Sequence, residues 1–184
     1  VKEKIENRLD EDMRSFIASS SLVFISTIDT EGNPDISPKG DPAGFIHVED
    51  NTTIHIPDRP GNRLLYGFHN ILNDPSIGMI FVTPNSLETL RIKGKATLHN
   101  DPALLEQMSI KGKPALLSTR VHIEECFFHC GKAMIRSDVW NPDSWGERGR
   151  SFVLRQMRRK YNTDDQMDEL MESELEKNYR EELY

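Results

Sequence analysis

Hydrophobic residues at the start of the chain recur about every fourth position, which is the spacing of one face of an α-helix. A run of serines at residues 19–21 follows them. The pattern predicts an N-terminal helix within residues 1–20. The apolar positions of this segment are Ile5, Leu9, Met13, Phe16 and Ile17.

From residue 22 the hydrophobic period shortens to two, and β-branched and aromatic residues become frequent, as is typical of strands. Residues 22–29 and 35–40 flank the turn sequence TEGN. This arrangement predicts a β-hairpin with Gly32 and Asn33 at its tip.

A second hairpin is predicted where the polar sequence EDN joins residues 44–48 to residues 52–57. In its second strand Ile54 and Ile56 alternate with His55. Such alternation predicts a strand that is buried on one face only.

The next segment returns to helical spacing. Leu64, Leu65, Phe68, Ile71 and Leu72 share one helical face. We therefore expect a helix over residues 61–72 that begins just after Arg59 and ends at the sequence NDP.

The remaining part of the sheet is predicted from four further apolar runs, with a short helix at 101–108 after the second. Gly94 lies inside the second run and predicts a bulge. Glu124 and Glu125 are expected to join the last two. Seven or eight strands with few helices between them predict a mainly β fold with peripheral helices, arranged as a closed antiparallel barrel. The runs are 77–82, 88–99, 115–123 and 126–136.

Beyond Trp140 the composition changes to a charge-rich helical segment. Thr163 and Gln166 have the spacing of a capping box. An apolar stripe on the following acidic helix either packs on the barrel or clasps a second subunit. We expect one domain, with the helix at 1–20, the barrel at 21–140 and a helical extension at 141–184. The stripe comprises Met167, Leu170, Met171, Leu175, Tyr179 and Leu183.

The composition narrows the functional classes. A net charge of -7 argues against non-specific binding to nucleic acid, which requires an excess of basic residues. No run of about 18 apolar residues occurs, and the first residues lack the apolar centre of a signal peptide, so we expect a cytoplasmic protein without a membrane segment. Cys126 and Cys130 are the two cysteines. We expect both to be buried free thiols on one strand face rather than ligands of a metal.

The sequence HIPDRPGNRLL at residues 55–65 is a candidate phosphate site. A rigid turn enters a predicted helix there, so free backbone N–H groups near Gly61 and Asn62 would face an anion, with Arg59 and Arg63 beside it. Alternatively, Asp58 forms a local ion pair with one of these arginines. The residues alone favour neither interpretation.

Two other segments carry candidate chemistry. Lys39 ends a strand in the sequence DISPKGDPAGF, where it either faces a ligand or is an ordinary exposed lysine beside Asp41. In FFHCGKAMIRSDVWNP, cationic side chains precede an indole, which suits an anionic planar ligand, although ordinary core roles are equally open for His129 and Trp140. Serine–histidine–acid triplets, paired carboxylates and nucleotide-binding glycine motifs are not recognisable in the sequence, so hydrolysis lacks candidates. The cationic residues of this last segment are His129, Lys132 and Arg136.

Together, the segments SPKGDPAGF, PDRPGNRLL, ETLRIKG and HCGKAMIRSDVW resemble, in order and spacing, a bacterial subgroup of the pyridoxamine 5′-phosphate oxidase-like flavoproteins. The resemblance implies an FMN-binding split β-barrel with a Greek-key-like antiparallel sheet. It also implies a homodimer that holds flavin mononucleotide (FMN) between its two subunits.

The same resemblance assigns roles to residues. The phosphate would lie in the turn of Pro57, Asp58 and Gly61, where Arg59, Asn62 and Arg63 match the family. The flavin ring would lie beside the strand of Ser37, Pro38, Lys39 and Gly40. Thr89 stands where related oxidases have a glutamine. The opposite subunit would contribute His129, Lys132, Arg136 and Trp140.

The resemblance implies an FMN-dependent oxidoreductase acting on a small molecule that the sequence does not identify. The C-terminal arginine and histidine pattern of true pyridoxamine phosphate oxidases is missing from the acidic tail, which argues against oxidation of vitamin B6. The alternatives are a flavin-binding sensor or storage protein without turnover, and a split barrel that binds haem or a deazaflavin.

Overall fold

The computed structural model describes residues 2–61, 64–147, 149, 151–162, 164–181, 183 and 184. Its contacts divide the chain into two compact units, residues 1–140 and 141–184. The first unit contains the sheet and four helices within the described residues. None of the helices in the described part of the chain is long and apolar enough to cross a membrane.

The first unit is mainly β. Its strands are β1 (Leu22–Ile28), β2 (Pro34–Gly40), β3 (His47–Val48), β4 (Thr53–Asp58), β5 (Ser76–Val82), β6 (Thr89–His99) and β7 (Leu117–His129). Its helices are α1 (Glu11–Ser19), α2 (Tyr66–Asn73), α3 (Pro102–Gln107) and α4 (Lys132–Ser137).

The strands form one antiparallel sheet in the order β2-β1-β5-β6-β7-β4-β3. The curvature of the sheet lies in the long strands β6 and β7, which pair with each other along their length. Strand β5 pairs only with the first half of β6, and β4 pairs only with the first half of β7. The register shifts between Lys93 and Gly94, which confirms the predicted bulge. A Cβ at Gly94 would lie 2.0 Å from the carbonyl oxygen of His122, so only glycine fits there.

The core lies on the inner face of the curled sheet and is closed by α1. Asp10 caps α1 by accepting a hydrogen bond from the backbone N–H of Met13 at 2.7 Å. Met13 and Ile17 of that helix are buried against the sheet. The largest fully buried apolar side chains are Phe81, Leu9, Ile17, Ile54, Ile56, Leu90, Ile92 and Ile123.

The predicted antiparallel, mainly β fold and the first hairpin are confirmed, but the sheet is not closed. The N-terminal helix covers Glu11–Ser19 rather than residues 1–20, so Ile5 precedes it and is exposed. The last two predicted strands are wrong. Residues 117–129 form the single strand β7, in which Glu125 pairs with Lys93 and Glu124 is the extra residue of the bulge opposite Lys93 and Gly94. Helix α4 follows this strand. Cys126 is buried in β7, whereas Cys130 lies beyond the end of the strand and is exposed.

The helix predicted to begin just after Arg59 begins at Tyr66 instead. Leu65 has a φ of 55°, in the left-handed region, so a right-handed helix cannot run through it. The turn at residues 57–61 is therefore separate from the N-terminal end of α2.

Strand β4 was expected to be half-buried, but residues 53–57 are all buried. His55 is tolerated there because both ring nitrogens have partners. Its Nδ1 lies 3.1 Å from Ser118 Oγ and its Nε2 lies 3.0 Å from Glu49 Oε2. A buried polar side chain costs little when its hydrogen bonds are made.

Ser118, His55 and Glu49 therefore form a serine–histidine–acid chain that the sequence analysis did not find. The chain does not suit hydrolysis, because Ser118 is 0% exposed and no substrate can reach its hydroxyl. Its ring orientation is also reversed relative to serine hydrolases, in which Nε2 faces the serine. Its role is structural, joining β4 to β7.

The second unit contains α5 (Phe152–Tyr161) and α6 (Asp165–Glu181). Asn162, with a φ of 51°, ends α5. Arg158 of α5 forms ion pairs with Asp165 and Asp168 of α6 at 2.9 and 2.6 Å. Met171 and Leu175 of the predicted stripe line a groove with residues of α5. Thr163 of the predicted capping box lies outside the described residues.

The buried His55 generates a prediction about pH. Burial lowers the pKa of His55, while the hydrogen bond that the ring donates to the Glu49 carboxylate acts in the opposite direction. The unfolded chain, in which histidine titrates near 6.5, therefore takes up this proton before the folded chain. We expect the free energy of unfolding to fall as the pH drops below about 6.5. Urea unfolding at pH 7 and pH 5 should show that the free energy of unfolding decreases less between these pH values for His55→Gln than for the wild type.

The exposed His69 provides the matched control, and His69→Gln should keep the wild-type pH dependence. Equal losses in the wild type and His55→Gln would contradict this account of His55.

Candidate functional site

The ends of β2 and β4 meet at the open side of the sheet, here called the mouth. If the sheet were flat, Gly40 and Asp58 would lie at opposite ends of it. Gly40 pairs with Leu22 of β1, whereas Asp58 pairs with Leu117 of β7. Yet Lys39 Nζ lies 2.6 Å from Asp58 Oδ1. The sheet must curl strongly for these strand ends to touch. This ion pair therefore bridges the gap between β2 and β4.

A second ion pair crosses the mouth with the charges exchanged, because its cation comes from the end of β4 and its anion from the end of β2. Arg59, directly after β4, donates from Nε to Asp41 Oδ2 at 2.8 Å, and Asp41 directly follows β2. Arg59 Nη2 also donates to the carbonyl oxygen of Met108 at 2.6 Å. The side chains of Arg59 and Asp41 are 12% and 2% exposed, so this pair is largely removed from water.

The two mouth ion pairs, Lys39–Asp58 and Arg59–Asp41, leave no net charge among their four side chains. The alternatives that the sequence left open for Arg59 and Lys39 each describe part of this arrangement. Arg59 does pair with a carboxylate, but with Asp41 rather than Asp58. Lys39 is not an ordinary exposed lysine, because it pairs with Asp58 and its Nζ lies 5.3 Å from the ring centroid of Phe68.

The predicted phosphate turn is only partly described. Pro57 is buried at the end of β4, and Gly61 is exposed. Asn62 and Arg63 lie outside the described residues. Since α2 begins at Tyr66, the expected anion site at a helix N-terminus near Gly61 is wrong. A phosphate in this turn would have to be held by side chains or by loop backbone.

The strand predicted to lie beside the flavin ring is the outer strand β2. Ser37 and Lys39 are half-buried, whereas Pro38 and Gly40 are exposed. Gly40 passes close to β1, since a Cβ there would lie 3.3 Å from the carbonyl oxygen of Ser21. Within the described residues the other edge of β2 has no paired strand, so its backbone is available to a ligand or a partner.

The remaining candidate residues form a second group at the start of β6 and the end of β7. Thr89 is buried and lies opposite the exposed His129 in the strand register. Trp140 donates from Nε1 to the carbonyl oxygen of Ser86 at 2.7 Å, which anchors the chain after α4. Lys132 and Arg136 are exposed on α4 rather than on a strand.

Three contributors at the mouth were missed from sequence, namely Asp41, Phe68 and the carbonyl of Met108. Lys39 and Asp41 on one strand end and Asp58 and Arg59 on another are complementary in charge, and that pattern is readable in sequence. The Met108 contact is not readable, because it depends on where the loop after α3 returns. Among the described residues, no group of three histidine, cysteine or acidic side chains could hold a metal ion.

Comparison with known proteins gives a consistent family. A family model described as pyridoxamine 5′-phosphate oxidase matches residues 9–130. The crystal structure of HupZ from Group A Streptococcus is 22% identical with a TM-score of 0.52, covering 65% of this chain and 93% of that chain. A candidate pyridoxamine 5′-phosphate oxidase from Lactobacillus delbrueckii is 22% identical with a TM-score of 0.51, covering 66% and 95%.

General Stress Protein 26 from Bacillus anthracis is 11% identical with a TM-score of 0.51, covering 64% of this chain and 91% of that chain. At these identities the structures show the fold, which is the split β-barrel. No curated protein sequence matches the chain.

The burial of the Arg59–Asp41 pair generates a prediction about stability. Asp41→Asn would leave the Arg59 guanidinium buried without its counter-charge, which typically costs about 3–5 kcal/mol. Glu125→Gln breaks the exposed Lys93–Glu125 pair at 3.1 Å and should cost no more than about 1 kcal/mol. Urea unfolding of both variants measures the difference. A similar small cost for both would show that the Arg59–Asp41 pair does not hold the mouth.

Proposed function

The chain belongs to the pyridoxamine 5′-phosphate oxidase family, and on that premise we propose that it is a homodimeric FMN-binding oxidoreductase acting on a small molecule. The observation that carries the proposal is the mouth. There, apolar side chains remain exposed beside two ion pairs that have already neutralised each other.

The apolar surface supports a dimer with a flavin between its subunits. Leu64, Leu65, Tyr66 and Leu116 are between 51% and 61% exposed, and the backbone N–H of Leu116 donates to the carbonyl oxygen of Asp58 at 3.0 Å. Apolar side chains of this size concentrate at ligand and subunit interfaces rather than on free surface.

The outer face of the sheet presents further exposed apolar side chains. Phe24 lies opposite Ile80 in the register, and Ile36 stands on the same face of the neighbouring strand. Phe24 and Ile80 are each 39% exposed and Ile36 is 67% exposed. A second copy packed here would bury all three and would cover the free edge of β2.

The charges at the mouth decide how the FMN phosphate is held. A phosphate monoester carries roughly 1.5–2 negative charges at neutral pH, and the two mouth ion pairs offer no net positive charge to oppose it. The proposal therefore assigns the phosphate to Arg63 of one subunit and to Lys132 and Arg136 of the other. Arg59 becomes a residue that shapes the site rather than one that binds the phosphate.

The residues present fit such a cofactor. When bound, FMN would supply the transfer of a hydride or an electron pair. In this proposal Ser37, Lys39 and Gly40 position the ring along the open edge of β2, and the buried Thr89 shapes its other side. The apolar side chains around the mouth exclude water. The sequence departure in the acidic tail leads us not to propose vitamin B6 as the substrate.

Mixed dimers test the shared site. Arg63→Ala and Arg136→Ala should each weaken FMN binding about 10- to 100-fold, the effect of losing one charged hydrogen bond. A heterodimer with one subunit of each variant has one doubly damaged site and one intact site. Titration should therefore recover one wild-type site per dimer. The control Lys93→Ala removes an exposed cation outside the site and should leave binding unchanged.

If both sites of the heterodimer remain weak, the arginines act within one subunit and the shared site is refuted. If purified wild-type protein is colourless and takes up no added FMN, the cofactor assignment itself fails. A haem or deazaflavin spectrum would have the same consequence.

Turnover separates an oxidoreductase from a flavin sensor or storage protein. FMN-loaded protein mixed with NADH or NADPH without oxygen should lose its visible flavin absorbance, and should regain it when an electron acceptor such as a quinone is added. Free FMN at the same concentration is the control. Reduction no faster than that of free FMN with both donors would favour the non-catalytic alternative.

A further inference from the structure

The two helices of the second unit form an open groove of about 410 Å³, here called the hairpin groove. Most of the side chains that line it are apolar. Covering these side chains with another apolar surface would therefore be favourable, because it removes them from water. The lining residues are Val153, Leu154 and Met157 of α5, and Met171, Glu174, Leu175, Lys177 and Asn178 of α6.

This helical hairpin lacks a core of its own. None of the described residues of the second unit is buried, and Val153, Leu170 and Tyr179 are each more than half exposed. The ion pairs that join the two helices use Arg158, which is 48% exposed, so they contribute little. Helices of this length are marginal in water unless an apolar face is packed. The hairpin therefore needs a cover that one copy of the unit does not supply.

The charges of the two helices favour a second copy of the hairpin as that cover. The charged residues of α5 are all basic, whereas α6 is mainly acidic. A surface of one sign repels its own copy, but a surface with both signs can be complementary to itself about a two-fold axis. Glu174 and Lys177, which both line the groove, are opposite in sign and three positions apart.

This spacing determines how two copies can pair. Three positions along a helix correspond to about 4.5 Å. If two α6 helices run antiparallel about an axis beside Leu175, Glu174 of each copy lies next to Lys177 of the other. Two-fold symmetry forms this contact twice. The same axis brings the two Leu175 side chains together, which removes them from water.

We propose that a second copy of the hairpin covers the hairpin groove, with the α6 helices antiparallel and the Glu174–Lys177 contact formed twice across the two-fold axis. The product is a four-helix bundle, in which the exposed apolar side chains of both copies form a shared core. The pairing involves residues other than those of the mouth and requires no cofactor, so it does not depend on the FMN proposal.

Disulfide trapping on the full-length protein tests the pairing. Of the native cysteines only Cys130 is exposed, so Cys130→Ser provides the background. Leu175→Cys lies near the proposed axis and should form a covalent dimer when copper phenanthroline is added. Ser173→Cys is exposed but lies outside the groove lining. It should cross-link at least about tenfold more slowly, because a disulfide requires Cα atoms within about 7 Å. Non-reducing gels measure both rates.

Charge exchange separates a contact between copies from a contact within one helix. In the Leu175→Cys protein, Glu174→Lys or Lys177→Glu alone places like charges in both contacts and should slow trapping about 10- to 30-fold. When both variants are co-expressed, one with a larger tag, their mixed dimer has opposite charges in both contacts. It should cross-link at the unmodified rate. Glu176→Lys is exposed and outside the groove lining, so it should leave trapping unchanged.

A second measurement leaves every groove residue in place. A spin label on Ser173→Cys, again with Cys130→Ser, reports the distance between the two α6 helices by pulsed electron paramagnetic resonance. Since packed helices lie about 8–10 Å apart, we expect a distance below about 30 Å between the two labels.

Three results would overturn the proposal. These are equal trapping of Leu175→Cys and Ser173→Cys, mixed charge variants that cross-link as slowly as each variant alone, and spin labels farther apart than expected. Any of them would mean that another surface covers the groove. Failure of the FMN proposal remains distinguishable, because a colourless protein that passes these tests contradicts only the cofactor, and a flavin-loaded protein that fails them contradicts only the hairpin pairing.

Discussion

The crossed ion pairs between the ends of β2 and β4 are the interaction on which the rest of this structure depends. Lys39 with Asp58 and Arg59 with Asp41 join two strand ends that a flat sheet would keep far apart. They hold the sheet curled without a closing ladder of backbone hydrogen bonds. They also fix the electrostatics of the mouth, because four charged side chains cancel there. Burial makes the Arg59–Asp41 pair the more demanding of the two, since neither partner can be removed without leaving a charge out of water.

This cancellation organises the proposed flavin site. In the proposed complex, residues other than Lys39 and Arg59 would have to meet the negative charge of the FMN phosphate. The candidates are Arg63 and the exposed cations of α4. The proposed dimer would bring such cations from a second copy.

Much of the fold could be predicted from sequence, because strand periodicity, the turn at residues 29–33 and the bulge at Gly94 are local signals. The errors occurred where distant contacts overrule local ones. Residues 124–125 looked like a turn, yet Glu125 pairs across the strands with Lys93, so the strand continues. Leu64 and Leu65 have helical spacing, but the left-handed backbone of Leu65 delays the helix. The candidate site was found by charge and motif, whereas the partner of each charge depends on the curl of the sheet, which no short segment encodes.

The account is tested most directly by a crystal structure of the protein grown with FMN. It predicts two subunits around each flavin, with the phosphate on Arg63 and on the cations of the second subunit's α4, while Arg59 keeps its bonds to Asp41 and to the carbonyl of Met108. A phosphate bound to Arg59 with Asp41 displaced would contradict it, and so would a flavin contained within a single subunit.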